Sequence, residues 1–210
     1  MTLPQPPVLV ISDRHQARQP LENVAEAVFA AGGRWLLVRE KDLEPEAHRT
    51  LVRNILTIAR PYGASVMISA DGTAVRATGA AGVHLPDGGD VAAARAELGA
   101  GALIGFSAHD AQGAGAAVAA GADYVTLSPI FPSISKPDYG PVLGLAVLRE
   151  VTAQLPVLAL GGVTAETVSD CLDAGAAGVA VMGAVMGAPD PGAAMAALLA
   201  KAVAPAGQRR

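Results

Sequence analysis

Aromatic residues are scarce: three Tyr, three Phe and one Trp among 210 residues, so aliphatic side chains and alanine must fill the core. Charge is sparse too, at 16% against 51% hydrophobic, with a mean hydropathy of +0.39. Disorder requires the opposite composition and is excluded. No excess of basic residues exists; the net charge of −4 argues against nucleic acid as a partner, which would need a basic stripe. Small phosphorylated molecules stay open, because a local cluster of donors can hold an anion on an acidic chain. The single cysteine, Cys171, cannot form an intramolecular disulfide, and a reducing cytoplasm is the expected compartment. No apolar run approaches the roughly 20 residues that span a bilayer, so no membrane partner is expected. The opening MTLPQPPVLVISDR carries an apolar stretch, Val8 to Ile11, that is too short and too proline-flanked for a targeting segment. The length suits one domain over 1–210.

What is present is alternation. Short apolar runs predict strands at 8–12, 35–39, 65–69, 82–85, 103–107, 124–128, 157–160 and 178–182. Helical spacing separates them, as at 21–31, 46–60, 110–120, 142–155, 164–174 and 191–203. Continuous rather than alternating apolar strands indicate burial on both faces, as in a parallel sheet, and strict β-then-α order an α/β fold. A weak repeat supports this: AAGGRWLLV, ATGAAGVHL, AAGADYVTL and DAGAAGVAV each pass from a helix through alanine–glycine into a strand. Gly32, Gly79, Gly121 and Gly175 read as left-handed residues just beyond helix ends. Eight such units predict a compact (β/α)8 TIM barrel. A doubly wound sheet is the rival, but no GxGxxG follows the first strand.

In such a barrel the chemistry gathers at the C-terminal ends of the strands. Arg39 and Lys41 follow the second strand and supply a bidentate and a mobile cation for an oxyanion, with Glu40 and Asp42 available to neutralise them. Gly161-Gly162 follows the seventh strand, with Thr164 as the expected N-cap of the next helix, and Gly183 follows the eighth. Together they predict a phosphate cradle, although tight turns alone also need glycine. The long segment SPIFPSISKPDYGPV carries Ser133, Ser135 and Lys136 within four residues and reads as a functional loop. His84 and His109 lie at strand ends and are candidates for proton transfer or for structural hydrogen bonds. No His/Cys/Asp/Glu set has zinc spacing, and Cys171 reads as core.

The segments VLVISD, LLVREKDL, GAAGVHLPD, IGFSAHD, DYVTLSPIFPSISKPDYGPVLGL, LALGGVT and AGAAGVAVMGAVMGAPDP span nearly the whole chain. In that order they resemble the thiamine phosphate synthase/TenI family, a family of (β/α)8 barrels. The resemblance implies a role in thiamine biosynthesis. Synthases of the family join hydroxymethylpyrimidine diphosphate to a thiazole phosphate: pyrophosphate departs and the thiazole nitrogen captures the pyrimidine cation. A Mg²⁺ on two aspartates steadies the leaving diphosphate. Carried over, Arg39, Lys41 and Lys136 face the diphosphate and Ser107 lies beside the reacting centre. Ser133, Ser135, Gly162, Met182 and Gly183 surround the thiazole phosphate.

This chain departs from the family pattern in places. Leu37 stands where the family has a glutamine, and the two metal aspartates fall, in strict register, on Ala70 and Gly89. HLP in place of HLGQ leans toward TenI-type isomerases, which need no metal, yet Pro129 occupies the position of a tautomerase histidine. The leading expectation is therefore a TenI-like protein acting on a thiazole phosphate without Mg²⁺. The alternatives are an active synthase holding Mg²⁺ on Asp71 and Asp90, which keep the family's separation one position displaced, and a silent phosphate binder. A Schiff-base aldolase using Lys136 is more remote, because that lysine would normally sit buried on a strand. The sequence leaves oligomeric state open.

Overall fold

The computed structural model describes residues 2–69, 72–133 and 140–203. Its centre is a closed parallel barrel in which strands pair in chain order and the last pairs with the first. The strands are β1 (Val8–Ile11), β2 (Trp35–Val38), β3 (Ser65–Ile68), β4 (Gly82–Leu85), β5 (Leu103–Ala108), β6 (Tyr124–Leu127), β7 (Val157–Ala159) and β8 (Gly178–Val181). Each lies within a residue or two of its expected span. Among the described residues the helices are α1 (Leu21–Ala30), α2 (Pro45–Ala59), α3 (Gly72–Thr78), α4 (Val91–Leu98), α5 (Ala111–Ala119), α6 (Gly144–Thr152), α7 (Val168–Asp173), α8 (Gly183–Met186) and α9 (Pro191–Ala202). None is long and apolar enough to cross a membrane.

The continuous apolar strands have the expected cause, since each buries both faces. Leu9, Ile11, Trp35, Leu37, Met67, Leu103, Tyr124, Leu158 and Ala180 meet inside the barrel. Their neighbours on the opposite pleat, such as Val10, Leu36, Val66, Ile104 and Val125, pack outward against Val24, Val28, Ile55 and Leu198 of the helices. The four alanine–glycine turns are built alike, with φ of +103° at Gly32, +79° at Gly79, +107° at Gly121 and +93° at Gly175. A β-carbon is disfavoured there, so each turn returns the chain to the sheet at one fixed angle.

One expectation needs correction. Thr164 does not cap a helix: its N–H donates to Thr167 Oγ1 at 2.9 Å within a hydroxyl-closed turn, and α7 begins only at Val168. Cys171 is buried as expected, and burial pushes its thiol up to about 12, which leaves no thiolate for chemistry.

Candidate active site

The C-terminal ends of the strands enclose a cavity of about 890 Å³. It gathers Arg39 and Lys41 from the β2 end, His84 from β4, Ser107 and His109 from β5 and its loop, and Ser133 from the loop after β6. Gly162, Met182 and Gly183 line the opposite side, after β7 and β8. Of the remaining sequence-derived residues, Ser135, Lys136 and Asp71 lie outside the described residues.

The charge pattern at β2 is resolved by its neighbour β1. Glu40, whose side chain is 2% exposed, accepts from Ser12 Oγ at 2.5 Å and from the Arg14 N–H at 3.1 Å. Ser12 Oγ in turn accepts from the Arg39 N–H at 2.9 Å. The Arg14 guanidinium reaches Asp42 through two bonds of 2.5 and 2.6 Å, and His15 Nε2 lies 2.9 Å from the same carboxylate. The bonds from Arg14, followed by that from His15, hold the Asp42 carboxyl well below the usual carboxylate range. Both acids are thus consumed by β1, and neither Arg39 nor Lys41 forms an ion pair with a described residue. Neutralisation by Glu40 and Asp42, weighed from the sequence, does not occur.

His84 is buried inside the barrel, with Nδ1 3.0 Å from the Tyr124 hydroxyl and Nε2 3.0 Å from Ser107 Oγ. Burial first, and the charge of Arg39 second, lower its pKa to about 3, so the ring is neutral. Of the two roles open to His84 from the sequence, proton transfer or a structural hydrogen bond, its contacts to Tyr124 and Ser107 favour the second. His109 Nδ1 lies 2.8 Å from the Ser128 carbonyl; because a carbonyl only accepts, Nδ1 carries the hydrogen.

The glycine wall has a packing cause as well as a functional reading. Gly161 and Gly162 have φ of +90° and +64°. A β-carbon on Gly162 would collide with the Pro132 carbonyl and with Phe131. The β6 and β7 loops therefore touch through backbone, and together they form one side of the cavity. Gly183 opens α8, a helix of four residues.

Of the two aspartates named for the synthase alternative, Asp71 lies outside the described residues and Asp90 is engaged by its own helix. Asp90 accepts from the Ala93 N–H at 2.9 Å as the N-cap of α4, a local use that the D-x-x-A spacing before an alanine-rich run already permits. Among the described residues no three His, Cys, Asp or Glu side chains gather as a metal site. Among the described residues the carboxylate on the cavity wall is Asp87, not singled out from the sequence although it sits two residues beyond β4. Ser69, at the end of β3, lines the cavity, and so does Gln16, which the sequence did not single out.

A family model described as thiamine monophosphate synthase matches residues 8–185. A Geobacter sulfurreducens protein, provisionally named a thiamine-phosphate synthase, is 43% identical over 195 residues, covering 91% of this chain and 92% of its own. A thiamine-phosphate synthase of Geobacillus thermodenitrificans is 36% identical over 198 residues, covering 91% and 89%. In structure, a thiamine phosphate pyrophosphorylase from Pyrococcus furiosus superposes with a TM-score of 0.84 at 25% identity, over 94% of this chain and 97% of that one. Barrel, strand-end residues and relatives agree: the chain belongs to the thiamine monophosphate synthase family.

Proposed function

We propose that the protein is a thiamine phosphate synthase, coupling hydroxymethylpyrimidine diphosphate to a thiazole phosphate with release of pyrophosphate. The observation that carries this reading is the pair of cations at the β2 end, unpaired among the described residues and aimed at a cavity of about 890 Å³. An isomerase acting on the thiazole alone has no use for a second anion site there. The synthase names of the relatives support the same choice over the TenI-like isomerase expected from sequence.

The roles in this reading divide by side of the cavity. Arg39 and Lys41 receive the diphosphate; as its C–O bond breaks, they stabilise charge gathering on the departing pyrophosphate. The wall of Ser133, Gly162, Met182 and Gly183 faces the thiazole phosphate and places its ring nitrogen toward the pyrimidine carbon. Leu37 and Ile11 give the cavity floor an apolar surface for the rings. The donor set also suits Mg²⁺, which binds through one or two carboxylates plus substrate phosphates. Asp87 is the described carboxylate that would hold it, and the ion would neutralise diphosphate charge.

Pyrophosphate release from the two substrates together, with Mg²⁺ and with chelator, tests the reading. Mg²⁺-stimulated release that requires both substrates is expected. Conversion of the thiazole alone would establish an isomerase, and binding without turnover a silent binder; either result overturns the proposal.

A further inference from the structure

A line of polar atoms crosses the barrel interior and ends at the cavity. Trp35 Nε1–H donates to Met67 Sδ at 3.2 Å, and the Tyr124 hydroxyl lies 3.4 Å from that sulfur and 3.0 Å from His84 Nδ1. On the other side of the imidazole, Nε2 is 3.0 Å from Ser107 Oγ and 3.4 Å from Thr126 Oγ1. Gly105 makes the line possible, because a β-carbon there would collide with both the Tyr124 hydroxyl and His84 Nδ1. Strand β5 thus leaves an opening in the layer where two polar side chains of β4 and β6 meet.

A neutral imidazole carries one hydrogen, so one ring nitrogen donates and the other accepts. Tyr124 has two acceptors in reach. Its sulfur acceptor is weak, more distant and already bonded to Trp35; the imidazole nitrogen is nearer and stronger. Tyr124 therefore donates to Nδ1, and Nε2 carries the hydrogen and donates to Ser107 Oγ, the nearer of its two hydroxyl neighbours. With a lone pair engaged from behind, Ser107 has its own hydrogen left to turn into the cavity that it lines. The opposite tautomer would draw that hydrogen inward and present lone pairs to an anionic ligand.

We propose that Tyr124 and His84 are positioning residues that fix Ser107 as a hydrogen-bond donor to an oxyanion in the cavity. This rests on the diphosphate reading above for the ligand, but not for the tautomer.

The experiment has two arms. Long-range ¹H–¹⁵N correlation spectra of the histidine-labelled protein should find His84 as the Nε2–H tautomer without ligand; the Nδ1–H form would overturn the proposal. Calorimetric titration with inorganic pyrophosphate then compares wild type, Tyr124→Phe, Ser107→Ala and the double variant. Each single variant should bind about tenfold more weakly, the loss of one charge-assisted hydrogen bond, and the double variant no more weakly than Ser107→Ala. An equal further loss in the double variant would make Tyr124 merely structural and overturn the relay. His84→Gln, whose amide N–H can replace Nε2–H, should bind pyrophosphate better than His84→Leu; parity between them counts against the proposal. Should wild type fail to bind pyrophosphate, the diphosphate reading falls, and the tautomer by itself decides the relay.

Discussion

Replacing Glu40 by glutamine keeps the shape of the side chain and removes one charge at the junction of the β1 and β2 loops. The carboxylate takes Ser12 Oγ–H on one oxygen and the Arg14 N–H, with its guanidinium at 3.5 Å, on the other. Glutamine has a single oxygen. Turned toward Arg14, it leaves its NH₂ against Ser12 Oγ, which already accepts from the Arg39 N–H. The Ser12 hydroxyl hydrogen, in a residue 1% exposed, then has no acceptor. One stranded buried donor costs about 1–3 kcal/mol, and the weakened charge-assisted bonds about 1 kcal/mol more. A loss of roughly 2–4 kcal/mol is expected in urea unfolding, or about 5–10 °C in Tm for a chain of this size. Because Arg39 is tethered to Ser12, KM for the diphosphate substrate should rise more than kcat falls. A loss below about 0.5 kcal/mol, within the range of ordinary surface changes, would refute the clamp as described.

Arg39→Ala should weaken pyrophosphate binding about tenfold to a hundredfold with little change in Tm, since the guanidinium has no described ion pair to lose; titration calorimetry checks this. Asp90→Ala should cost about 1 kcal/mol through loss of the α4 cap and leave Mg²⁺ stimulation of pyrophosphate binding intact, whereas Asp87→Asn should do the reverse. Acid should destabilise the fold through His84. Its pKa is about 3 in the native protein against an ordinary 6.5. The unfolded chain therefore binds the extra proton between those values, and stability falls with pH in that window, by up to about 1.4 kcal/mol per unit. Unfolding free energies measured from pH 7 to pH 4 should show this slope in wild type and a shallower one in His84→Gln.

Much of the barrel was legible because its causes are local. Strands such as VLVI and WLLV are apolar on both pleats, and the alanine–glycine turns recur with the same geometry. The helices α3 and α4 were not read, being short segments in which alanine and glycine give little contrast between faces. At the site, the strand-end rule located Arg39, Lys41, Ser107 and Gly162 correctly on the cavity. It could not pair Glu40 with Ser12, a contact across 28 residues that depends on which strand lies beside β2. Asp90 carried two signals at once, a separation from Asp71 that matches a metal pair and a capping signature three residues long, and the helix uses the second. Asp87 reads as an exposed loop acid and stays exposed in the structure; only its place at the cavity rim sets it apart.

The segregation of charge at the end of β2 has a consequence for how this sequence can vary. Arg39 continues the inward-facing series of Trp35 and Leu37, while Glu40 turns back toward β1. Adding or deleting a single residue between Val38 and Arg39 would exchange these two sides and turn a buried carboxylate toward the ligand while folding the guanidinium away. The spacing from strand to cation is thus a reading frame for the site. At this step one residue would reverse the sign of the wall that an anion meets.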